Sequence, residues 1–142
     1  MYQRDYLLRM IEMIAELIAG ILGLIKKGDF QQASQSLDNA YYDFLKQDAS
    51  LFRSIDKEKL TDELLSLHNY THGHLEILSE LFYAEAELLY AQGQQSRSTE
   101  FYEKTLTLYE FVNKESKTFS FDKELKISLI RNRIEQLKKA DS

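Results

Sequence analysis

The stretch Leu17-Ile18-Ala19-Gly20-Ile21-Leu22-Gly23-Leu24-Ile25-Lys26-Lys27-Gly28-Asp29-Phe30-Gln31-Gln32-Ala33-Ser34-Gln35-Ser36-Leu37-Asp38-Asn39-Ala40 decides the fold. An apolar run ends in two cations and a Gly, and an Asp then opens a segment with apolar residues at helical spacing. Measured from Gly28, the residues Leu17, Ile21, Leu24, Ala33, Leu37 and Ala40 stand at −11, −7, −4, +5, +9 and +12. The same offsets from Gly93 give Phe82, Ala86, Leu89, Ser98, Tyr102 and Thr105. The two glycines are 65 residues apart, close to two repeats of about 34 residues. A spacing that returns together with its turn predicts two helical hairpins built alike.

Working outward, a first helix is expected over 4–26. On it Asp5, Arg9, Glu12 and Glu16 share one narrow stripe, continued by Gly20, Gly23 and Lys27, while the other positions are mostly apolar. So narrow a stripe implies cover on most other sides. Its glycines would let a further helix approach, so Asp5, Arg9, Glu12, Glu16, Gly20 and Gly23 form the candidate interaction surface. Lys26, Lys27 and Gly28 close the helix, and Asp29 caps a second that runs to about 48. Residues 49–73 are the least regular. Asp56 is the expected cap of a shorter helix through Leu60, Leu64, Leu65 and His68, and 69–73 read as a turn. No Gly marks a repeat turn there. A second hairpin is expected over 74–114, turning at Gly93, and a last helix over 122–139 with Asp122 as its cap.

These offsets resemble the tetratricopeptide repeat, whose hairpins carry large, small and large residues before a turn Gly and small, aromatic and small residues after it. Lys27-Gly28-Asp29-Phe30-Gln31-Gln32-Ala33 is the part most like that turn. The resemblance covers about 34 residues twice, roughly half the chain. It departs from the pattern in three ways: no Pro closes either hairpin, Glu85 replaces an apolar residue, and a middle repeat is missing. The opening Tyr2-Gln3-Arg4-Asp5-Tyr6-Leu7-Leu8-Arg9-Met10-Ile11-Glu12 is also similar to the start of an uncharacterised bacterial family of tetratricopeptide-like proteins. The resemblance implies one all-α domain over 1–142, a short right-handed solenoid of five to six antiparallel helices. It also implies a concave face that binds peptides or helices.

Composition narrows the function classes. A net charge of −5 gives no basic face for nucleic acid. The absence of Cys excludes disulfides, thiolate metal sites and a Cys nucleophile. The apolar run Met13–Ile25 contains Glu16 and, at about thirteen residues, is too short to span a bilayer. The nearby acids Asp5 and Glu12 do not suit the start of a signal peptide, so a cytoplasmic protein is expected. No Gly-rich phosphate loop and no Gly-x-Ser-x-Gly occurs, so neither catalysis nor a cofactor is expected.

Three constellations stand out. His68, His72 and His74 cluster near Glu76, but the four-residue spacing crosses a turn and no Glu follows the first His. Capping in a solvated loop, with no metal, is the expectation. Glu76, Glu80 and Glu87 share an arc with Tyr83 and Tyr90 and with no Lys or Arg. That arc is either a surface for a basic partner or, more simply, a solvated face. Glu85 projects among Leu78, Leu81, Phe82 and Leu89, and Arg133 among Leu129, Ile130 and Leu137. A buried carboxylate needs a partner or a proton, so the two are expected to pair and fix helix register.

The sequence thus points to a non-catalytic protein–protein interaction or assembly module. Self-association through the first and last helices is expected, because terminal repeats otherwise need polar caps. The competing reading is a small-molecule sensor or enzyme with a pocket near Glu85 and Arg133. A third, embedding of the first helix in a membrane surface, is opposed by its acidic stripe.

Overall fold

The computed structural model describes residues 2–66, 69–116 and 121–140. Among them are seven helices and no strand: α1 (Tyr2–Lys26), α2 (Phe30–Leu45), α3 (Ala49–Ser54), α4 (Leu60–Ser66), α5 (His72–Ala91), α6 (Gln95–Ser116) and α7 (Phe121–Ala140). The fold is all-α, and α1–α2 and α5–α6 form the two helical hairpins.

Both hairpins turn in the same way, bond for bond. Gly28 and Gly93 adopt the left-handed conformation at φ +84° and +80°, which a side chain would strain. Gly28 N–H donates to the Ile25 carbonyl (3.0 Å) and Asp29 N–H to that of Leu24 (2.9 Å). Gly93 N–H donates to Tyr90 (3.0 Å) and Gln94 N–H to Leu89 (2.9 Å). This paired closure satisfies carbonyls that a helix end leaves open. Asp29 then caps α2, accepting from the Gln32 N–H at 3.3 Å.

The repeated small positions lie where helices meet. Ala33 and Ala40 are buried in the first hairpin, Ser98 and Thr105 in the second. The polar pair is satisfied locally: the Ser98 hydroxyl donates to Ala86 O at 2.9 Å and that of Thr105 to Phe101 O at 2.7 Å. Small volume is what both copies share. The central helix is α5, which packs against α1, α2 and α6, while α7 packs on α6.

The middle of the chain departs from expectation. The second helix stops at Leu45, and Lys46 takes the left-handed cap at φ 61°, its N–H donating to Tyr42 O at 2.9 Å. Asp48 then caps α3, accepting from the Ser50 N–H at 3.1 Å. A Lys in that conformation gives no signal in a sequence, whereas Gly or Asn does. Among the described residues, 49–71 therefore hold two short helices, the one expected from Asp56 begins only at Leu60, and α5 starts at His72, inside the expected turn. Asp122 sits inside the first turn of α7 rather than at its cap. Among the described residues no helix is long and apolar enough to cross a membrane.

Candidate functional site

Glu85 is 4 % exposed, and its partner is Arg53 rather than Arg133. Arg53 Nε donates to Glu85 Oε1 at 2.6 Å, Nη2 pairs with the same oxygen, and Nη2 also meets Asp38 at 2.5 Å. The guanidinium lies 5.3 Å from the centroid of the Tyr41 ring. Burial pushes the Glu85 carboxyl above its ordinary pKa, and the Arg53 charge pulls it back. Burial also raises the Tyr41 phenol, with Glu85 adding to the effect.

The expected Glu85–Arg133 pair is therefore not formed. Arg53 was invisible as a partner because the sequence did not mark α3 as a helix. Its backbone is engaged as well: Arg53 O accepts from Lys104 Nζ at 3.0 Å. Lys104, only 2 % exposed, also faces Glu100 at 3.4 Å and the Phe101 ring at 4.9 Å. This cluster, two cations facing three carboxylates, braces α3 against α5 and α6.

The acidic, aromatic arc of α5 has a basic partner within the chain. Lys123 pairs with Glu76 at 3.0 Å and Lys126 with Glu80 at 2.9 Å. The Tyr109 hydroxyl also donates to Glu80. The Lys126 ammonium lies 4.6 Å from the Tyr83 centroid, and the Arg133 guanidinium 4.1 Å from that of Tyr90. These partners ascend together along both helices, so α7 runs parallel to α5. The arc is thus neither free for a basic partner nor simply solvated.

A cavity of about 350 Å³ opens between α5, α6 and α7. Its walls include Tyr83, Glu87, Tyr102, Leu129 and Arg133, with Lys126 at one edge. Burial raises the phenols of Tyr83 and Tyr102 far above their ordinary pKa, and the nearby Glu87 carboxylate raises them further. Two buried donors here, Arg133 Nη1 and the Tyr102 hydroxyl, have no hydrogen-bond partner among the described residues. The sequence reading placed Arg133 at a pocket but joined it to Glu85, which does not line this one.

A second hollow of about 320 Å³ runs along α1. Ile11, Ala15, Ile18, Ala19 and Leu22 form its apolar wall, facing Glu80 and Lys126. On α7, Leu125 and Leu129 are 51 % and 59 % exposed. Of the proposed stripe, Arg9, Glu12, Glu16, Gly20 and Gly23 are exposed, and nothing lies within 4 Å of a Cβ built on either Gly. The Asp5 side chain lies outside the described residues.

The His cluster divides. His72 is exposed, with its ring stacked on Phe111 at 5.5 Å. His74 caps α5, its Nδ1 accepting from the Thr71 N–H at 3.1 Å. Burial lowers the His74 pKa. His68 lies outside the described residues. Among those described, no three His, Cys, Asp or Glu gather as metal ligands.

No curated protein and no solved structure matches the chain. A family model matches residues 1–140, nearly the whole sequence. The chain belongs to that family, the family of unknown function DUF6483.

Proposed function

We propose that this chain is a non-catalytic protein–protein interaction or assembly module, a cytoplasmic one built on tetratricopeptide-like hairpins. The apolar hollow along α1 carries the reading. Ile11, Ala15, Ile18, Ala19 and Leu22 follow the 3–4 spacing with which one helix presents a row to another. The small residues Ala15 and Ala19 let a docked helix come close, and the exposed Leu125 and Leu129 of α7 add apolar area. A helix of a partner protein fits this surface. Self-association through α1 and α7 is the version in which the partner is a second copy.

Light scattering over a range of concentrations tests self-association. Capture from the native host, comparing the wild type with Ala19→Arg, tests for another partner. Loss of the dimer or of a reproducible partner in a folded Ala19→Arg variant supports the reading. A monomer whose co-eluting proteins are the same with both forms sinks it. The charge reversals Glu12→Lys and Glu16→Lys ask separately whether the stripe contributes. The small-molecule reading retains Arg133 and loses Glu85, and the cavity at Arg133 gives it a specific form.

A further inference from the structure

The cavity between α5, α6 and α7 contains charges without an ion-pair partner among the described residues. Lys126, at its edge, is paired with Glu80. Arg133 and Glu87 both line the cavity, and neither forms an ion pair among the described residues. The Arg133 guanidinium is instead stacked on Tyr90, with Nη1 buried and without an acceptor among the described residues. Tyr102 is 1 % exposed and lines the same cavity, and its hydroxyl, which the Glu87 carboxylate faces, forms no hydrogen bond among the described residues. Buried donors without a formed hydrogen bond are costly, and two beside one cavity leave a place for an oxyanion from outside the chain.

A simple anion would satisfy Arg133 and Tyr102 but would face the Glu87 carboxylate. A simple cation would satisfy Glu87 and meet Arg133 and Lys126. Only a ligand with both charges matches the site. We propose that this cavity binds a small zwitterion of the amino-acid class, its carboxylate taken by Arg133 and Tyr102 and its ammonium by Glu87. Arg suits a carboxylate because its planar fork can bond both oxygens. The guanidinium has to turn from Tyr90 toward the cavity it lines, so binding is coupled to a movement of that side chain. Leu129 and Ile130 provide an apolar wall for the ligand's side chain. The volume of about 350 Å³ lies in the range of about 300–1,000 Å³ usual for small-molecule pockets.

The inference does not rest on the groove along α1, although Lys126 borders both hollows and Leu129 serves both readings. Its test is titration of the full chain with each of the common amino acids, read by amide-resonance shifts and calorimetry. Acetate and ethylamine serve as single-charge controls. The expected result is saturable one-to-one binding of at least one amino acid, with shifts centred on Tyr83, Glu87, Tyr102 and Arg133. Both controls should bind at least tenfold more weakly. Tyr102→Phe deletes a single oxygen and keeps the ring, so it leaves the fold intact while weakening binding at least tenfold. Arg133→Gln should do the same, with folding checked by thermal midpoint. No saturable binding, binding unchanged in Tyr102→Phe, or acetate binding as well as an amino acid would each overturn the proposal.

Discussion

Arg53 reaches Glu85 across 32 residues of sequence and bonds it at 2.6 Å, while the carbonyl of the same Arg accepts from Lys104. One short helix thereby holds two long ones. Removing Arg53 strands a carboxylate that burial already disfavours, whereas neutralising Glu85 leaves Arg53 its exposed partner Asp38. Arg53→Ala is therefore expected to cost about 3 kcal/mol and Glu85→Gln about half of that. Chemical unfolding of both variants and the double mutant should give a coupling energy above about 1 kcal/mol. The same cycle with Arg133 and Glu85 should give none, and comparable coupling in the two cycles would contradict the geometry.

The glycines separate into two classes. Gly28→Ala and Gly93→Ala place a side chain at positive φ, and each should lower stability by about 1 kcal/mol, nearly equally. Gly20→Ala and Gly23→Ala add a methyl where nothing stands within 4 Å, inside a helix. Each should raise stability by about 0.5–1 kcal/mol. If these last two substitutions destabilise the isolated chain, the stripe is more closely packed than the structure indicates.

His74 makes stability depend on pH with a definite sign. Burial holds its folded pKa below the ordinary 6.5, so between the two values the unfolded chain binds more protons. Stability therefore rises with pH through that window and falls as pH drops below 6.5. Protonation of Nδ1 would also remove the acceptor for Thr71. His74→Gln keeps an acceptor at this capping position without the titration. Thermal midpoints from about pH 5 to pH 7 should show a flatter slope in the variant. An unchanged slope would assign the effect to another group.

The contacts of α7 with α5 pass through long cationic side chains. Added salt should weaken the pairs Glu76–Lys123 and Glu80–Lys126, which are partly exposed, and lower the thermal midpoint. Lys126→Met keeps the apolar stem and removes the charge, and should reduce that sensitivity. The cost is expected to be about 1 kcal/mol, since Glu80 keeps the Tyr109 hydroxyl. Equal salt responses in wild type and variant would mean that the Glu80–Lys126 pair does not carry the salt sensitivity.

Much of the fold was legible because its signals are local. Gly28, Asp29 and Gly93 announce their turns through backbone conformation and capping, which depend on the residue itself. The repeated offsets located the small contact positions, including Ser98 and Thr105. The middle segment was less legible because Lys46 adopts a conformation its side chain does not advertise. The wheel argument put Glu85 on a buried arc, since burial follows helical period, but set Arg133 beside Leu129, which is exposed. It could not choose between Arg53 and Arg133 as partner, because that choice depends on where α3 packs. The cavity was half-visible for the same reason: Arg133 and Tyr83 were marked, whereas Tyr102 was read only as a core position.

The two matching turns also bear on the order in which the chain assembles. Each joins helices through residues adjacent in sequence, so each hairpin can close with little loss of chain entropy. The costly closure is the excursion from Lys46 to Thr71, which must be drawn in before α5 can settle on α1 and α2. With no Pro in the chain, no prolyl isomerisation slows that step. Refolding should thus be governed by the docking of two quickly formed halves, and weakening Arg53 should chiefly affect how long they stay together.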